Sequence, residues 1–142
     1  MFGKKLSEYV RFQGWVLALI VIAFALRFAL SASWASMNTI GLIGLLYYAV
    51  GVPLARFGSY KELLALLIIQ TAVTHGLIAL AITLGIATGT DNMFTRPEYF
   101  GGNDGKTWIH VGLHVIAIAI LPFISWVFGA PILFITKKLR PA

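Results

Sequence analysis

Residues 62–87 read ELLALLIIQTAVTHGLIALAITLGIA. After Glu62 the stretch carries no acid, lysine or arginine, and His75 is its one side chain that titrates near neutral pH. A helix needs roughly 20 apolar residues to cross about 30 Å of hydrocarbon, and this run supplies them. Working outward, residues 14–31, 38–54 and 107–136 are comparably apolar, and most of the charge is confined to the segments around them. Hydrophobic residues make up 59% of the 142-residue chain and charged residues 11%, against about 45–50% and about 25% in soluble domains. The pattern predicts an all-α integral membrane protein. Its expected form is one domain over residues 1–142, a bundle of four transmembrane helices with a structured outer loop, residues 88–106, between the third and fourth.

Charge placement sets the expected orientation. Lys4, Lys5, Arg11, Arg56, Lys61, Lys137, Lys138 and Arg140 all flank apolar runs, at the two ends and at the second connection. By the positive-inside rule both termini are expected to be cytoplasmic and the loop at 88–106 outside, in a bacterial cytoplasmic (inner) membrane. The net charge of +6 is therefore a topology signal and a match to anionic headgroups, and no nucleic-acid partner is expected. The expected partners are the lipid bilayer and a second copy or a larger membrane complex. The chain has no cysteine, which excludes disulfides, thiol redox chemistry and thiolate metal ligands.

The first run imitates a secretory signal, with a basic start and the small residues Ser31, Ala32 and Ser33 after it. Its length exceeds a usual h-region and Arg27 interrupts its far end, so it reads as a span. In the second run Gly41, Gly44 and Gly51 share a helical face, and in the third Ala72 and Gly76 offer another, the small-residue pattern of helices packed closely in lipid. Pro122 and Pro131 are expected to kink the fourth span or break its inner end.

Few residues stand out as chemistry. Arg27, within a turn or two of the outer end of its span, reads either as an arginine snorkelling to headgroups or as a partner for an anion, including the loop acids Asp91, Glu98 and Asp104. His110 and His114 are one helical turn apart and project from one face, a spacing able to hold two positions on a metal ion, with Asp104 as an oxygen ligand from the loop. The residues between them are Val111, Gly112 and Leu113, so the glutamate of the zincin motif is missing. His75 lies near the midplane beside Gln70, Thr71 and Thr74, where a polar group is expensive to leave idle. Hydrogen bonding to Thr71, Gln70, Tyr47 or Tyr48 is its bland use, and cofactor binding with Arg27 its functional one. At 1.5 Å per residue His75 falls about 12 Å below the outer boundary and His114 about 7 Å, which argues against a haem held between them within one chain.

No Walker loop, nucleophile elbow or calcium loop is present, and the segments outside the spans are small for a catalytic domain. Three readings follow. The leading one is a non-catalytic subunit or homo-oligomeric scaffold of a membrane assembly. The others are a haem-, quinone- or metal-binding membrane protein built on the intramembrane histidines, and a small transporter or channel.

Overall fold

The computed structural model describes residues 3–99 and 102–139. Arg140 of the basic C-terminal cluster, and Phe100 and Gly101 of the loop, lie outside the described residues. Among those described, the protein is all-helical: α1 (Leu6–Phe12), α2 (Gly14–Leu30), α3 (Met37–Leu54), α4 (Tyr60–Thr88) and α5 (Trp108–Leu139), with a 3-10 turn at Pro97–Tyr99. Helices α3, α4 and α5 are each long and apolar enough to cross a membrane, and α1 with α2 makes a fourth candidate if the bent pair crosses as one.

Local chemistry sets the helix ends. The Glu8 carboxylate accepts the Lys5 backbone N–H at 2.7 Å at the start of α1. The Ser36 hydroxyl accepts the Thr39 N–H at 3.2 Å at the start of α3, and Glu62 accepts the Ser59 N–H at 2.7 Å at the start of α4. Each satisfies a donor that the first helical turn leaves orphaned. Helix α2 stops at Ser31 and α4 at Gly89, both in the left-handed region, where glycine is the easier residue.

Helices α1 and α2 meet at 72°. The break is one residue wide: Gln13 leaves helical geometry while its N–H still donates to Tyr9 and its carbonyl accepts from Leu17, both at 3.1 Å. Aromatic packing then anchors α1 to the α3–α4 connection, with Phe12 stacked on Phe57 at 4.2 Å between centroids and Tyr9 edge-on to Phe57 at 5.6 Å.

Close approach of the helices depends on particular glycines. A Cβ on Gly44 would overlap the Gln70 side-chain oxygen and stand 2.9 Å from Val16, so α2, α3 and α4 converge there. On Gly129 it would stand 2.8 Å from Leu45 and 3.2 Å from Leu63, which brings α5 against α3 and α4. Gly51 sits against Phe12 of α1. The expected face at Gly76 takes no part in packing within this chain, because nothing lies within 4 Å of a Cβ placed there. Nor does proline break the fourth long helix: α5 continues through Pro122 and Pro131 to Leu139, as helices in lipid tolerate when neighbouring groups re-satisfy the freed backbone.

The segment after α4 folds back along that helix. The Asn92 side-chain amide donates to the Ala81 carbonyl at 2.8 Å, about two turns below the end of α4, and the Gly105 N–H donates to Thr95 at 3.0 Å. A Cβ on Gly105 would lie 2.7 Å from the Thr95 carbonyl oxygen, so glycine is what lets these backbones meet. Met93 and Thr95 are buried beneath the fold-back.

Candidate functional site

The fold-back fixes where α5 begins. Helix α4 runs more than three turns beyond His75, whereas α5 starts less than two turns before His114. The end of α4 therefore stands roughly 10 Å above the start of α5, at 1.5 Å per residue. Measuring both histidines from a common boundary separates them in depth, and the structure corrects that. The His75 and His114 Nδ1 atoms lie 2.8 Å apart with ring centroids at 5.0 Å, so one ring donates its N–H to the other. His75 does not hydrogen-bond Thr71, Gln70, Tyr47 or Tyr48. Its partner is His114.

His110 extends this pair into a row of three. Its ring lies 5.1 Å from that of His114 and tilted by 40°. Its Nδ1–H donates to the Gly105 carbonyl at 2.9 Å, so the fold-back orients the ring.

Arg27 of α2 reaches the same end of the bundle. Its Nη1 donates to the carbonyls of Ser33 at 3.1 Å and Ala35 at 3.4 Å, and its guanidinium lies over the Phe94 ring at 5.6 Å. Phe94 stacks in turn on Phe24 at 5.5 Å. Arg27 thus ties the α2–α3 connection to the fold-back, and its bonds go to carbonyls and not to the loop acids. Asp91 and Asp104 both pair with Lys106, Asp104 at 3.1 Å. Hydrogen bonds from the Lys106 backbone and ammonium hold the Asp104 carboxyl below the ordinary carboxylate value, and Asp91 followed by Asp104 raises the Lys106 amine. The tether is accordingly whole through the neutral range. It loosens as pH falls through the lowered carboxyl value or rises through the raised amine value.

Two cavities flank the histidine pair. The loop cleft, about 250 Å³, is lined by Arg27, Ser36, Asn38, Tyr99, His110 and His114 on its polar side and by Met37, Ile78, Met93 and Phe94 on its apolar side. The mid-bundle pocket, about 240 Å³, is lined by His75, Gln70, Thr71, Thr74 and Ser125 together with Gly41 and apolar residues of α3 and α5. Met37 and Asn38 border both. Gln70 donates to the Gly41 carbonyl at 3.1 Å, and its own carbonyl oxygen is buried with no partner.

This arrangement brings together Arg27, His110 and His114 around one cleft with His75 behind it, and it leaves Asp104 with Lys106. Among the described residues no three His, Asp or Glu side chains converge to hold a metal ion. In the geometry present a haem iron does not fit between His75 and His114. Metal–nitrogen bonds near 2 Å put opposed ligands about 4 Å apart, and 2.8 Å is a hydrogen-bond length. Sequence reasoning missed Asn38, Ser36 and Tyr99. The signal for Asn38 was a polar amide in the first turn of an otherwise apolar span. Compared with known proteins, the chain matches no family model, no curated protein and no solved structure.

Proposed function

We propose that this chain is a four-span membrane protein of the bacterial inner membrane, both termini cytoplasmic, that binds a small ligand bearing carbonyl acceptors on an apolar body. A membrane quinone is the ligand class that suits the cleft. The observation carrying this reading is the convergence of Arg27 from α2 with His110 and His114 from α5 on one cleft, backed by His75 of α4. Such a wall donates hydrogen bonds from one side and offers Met37, Ile78, Met93 and Phe94 to an apolar ring on the other, the division that small-ligand sites use. Arg27 uses only Nη1 for its two carbonyls, which leaves guanidinium N–H groups for a ligand oxygen. A non-catalytic scaffold is favoured less. Gly44, Gly51 and Gly129 pack against this chain's own helices, so those small-residue contacts are already used. No reaction is assigned to the site.

Orientation rests on the basic flanks: a reporter fused near Gly58 is expected to read cytoplasmic and one near Gly102 external, and the reverse result refutes the assignment. Ligand binding is tested by calorimetric titration of the full chain in nanodiscs with a short-chain benzoquinone. Saturable one-site binding is expected, and Arg27→Gln should weaken it about tenfold or more, because a hydrogen bond to a charged group contributes about 1.5–3 kcal/mol. Unsaturable partitioning, or equal affinity in the variant, rejects the reading.

A further inference from the structure

Buried polar atoms form a line through the bundle that ligand binding at the cleft does not use. Among the described residues, four buried side-chain atoms have no hydrogen-bond partner: both amide atoms of Gln13, the Tyr48 hydroxyl and the Gln70 carbonyl oxygen. Gln13 and Tyr48 are 0% exposed. Unmet capacity of this kind is costly in an apolar interior, and ordered water is its usual remedy where several polar groups share a space. The positions are ordered along the bundle. Gln70 meets Gly44 and Val16 at one level. Tyr48 follows Gly44 by about one turn on α3, and Gln13 precedes Val16 by about one turn on α2, so both lie nearer the end that carries the termini. In the other direction Gln70 and His75 line the mid-bundle pocket, His75 bonds His114, and His114 lines the loop cleft.

We propose that this line is a proton path through the bundle, from Gln13 past Tyr48 and Gln70 to His75, across the histidine pair to His114, and out through the loop cleft. The pair is the step that water alone does not supply. In the starting tautomer His75 Nδ1–H donates to His114 Nδ1, His75 Nε2 is bare and His114 Nε2 carries a proton. A proton arriving at His75 Nε2 from pocket water makes an imidazolium. The shared proton then crosses from His75 Nδ1 to His114 Nδ1, and His114 releases its Nε2 proton to the cleft. One proton enters, one leaves and no net charge remains. The two rings have exchanged tautomers, and rotation of each about its χ2 bond with re-protonation resets the pair. Groups of either charge state near the pair are few. His110 of α5, Arg27 of α2 and Tyr99 of the fold-back line the cleft side, and the residues that α3 contributes to both cavities are uncharged. The inference stands without the quinone reading, because nothing in the path requires an occupant of the cleft.

The full chain is reconstituted in liposomes holding an internal pH dye, with no quinone present, and a potassium diffusion potential is imposed with valinomycin. Proton flux well above that of protein-free liposomes is expected, slower in D2O. It should fall at least tenfold in His75→Gln and in His114→Gln, since glutamine keeps hydrogen bonding but does not titrate. Helical circular dichroism and monodisperse elution establish that each variant is folded. Tyr48→Phe and Gln70→Leu, which alter the line away from the histidines, should slow the flux as well and provide the test if a histidine variant does not fold. Flux equal to protein-free liposomes, or flux within twofold of the parent in the folded variants, overturns the proposal. Because no ligand enters this assay, its failure and a failure of quinone binding are separate results.

Discussion

Gly44→Leu is expected to weaken assembly of the bundle far more than Leu46→Ala does. The site of a Cβ at this position is already occupied by the Gln70 side-chain carbonyl, with Val16 2.9 Å away. Adding a full side chain must push α3 away from both α2 and α4 or expel Gln70 from its bond to the Gly41 carbonyl. Overpacking of a close helix contact costs about 1–3 kcal/mol, and displacing a buried amide adds about 1–3 kcal/mol for polar groups left unpaired. Leu46 is the matched control. It is 46% exposed on the same helix, so Leu46→Ala should change stability by less than about 1 kcal/mol. Denaturant unfolding in mixed micelles and the monodisperse fraction after purification both measure the difference. Equal tolerance of the two changes would mean that α3 does not pack through Gly44.

The second large effect belongs to the histidine pair. His114→Leu removes the partner of His75 in the middle of the bundle and leaves one imidazole nitrogen unpaired, a loss of about 1–3 kcal/mol. His75→Leu has the same consequence for His114. The double variant leaves neither ring, so the two losses should not add. A coupling energy of about 0.6–1.7 kcal/mol is expected, the range for hydrogen bonds between helices in membranes. Additive losses in the double-mutant cycle would mean that the rings do not interact.

Most of the helices were legible in the sequence because length and hydropathy alone decide them. The run at 38–54 became Met37–Leu54, and that at 14–31 became Gly14–Leu30. Residual differences have local causes. Helix α4 starts at Tyr60, ahead of the apolar run, because Glu62 caps the Ser59 N–H. Helix α5 continues through Lys137 and Lys138 to Leu139, where cations suit a helix C-terminus. The break at Gln13 was legible as the polar stretch from Lys4 to Gln13 ahead of the apolar run at Gly14, but its 72° angle was not, since no proline marks it and the packing of Phe12 and Tyr9 on Phe57 is a tertiary event.

The site was legible as residues and not as a place. Arg27, His75, His110 and His114 each stand out because ionisable groups are rare in apolar runs. Their relative depth depended on the Asn92–Ala81 bond and on the contact of Gly105 with Thr95, which lower the start of α5 against α4. Periodicity holds no information about such a fold-back. For the same reason Asp104, close to the histidines in sequence, is drawn away by Lys106.

The contact between His75 and His114 is the point on which the cleft, the pocket and the proton path all depend. Nitrogen NMR of the full chain labelled with 15N in its histidines measures it directly, through the spin coupling that passes across an N–H···N hydrogen bond. A resolved coupling between the Nδ1 nuclei of His75 and His114, lost in His114→Gln, is the expected result. A His75 Nδ1 that couples to no other ring nitrogen while both side chains remain ordered would contradict the account.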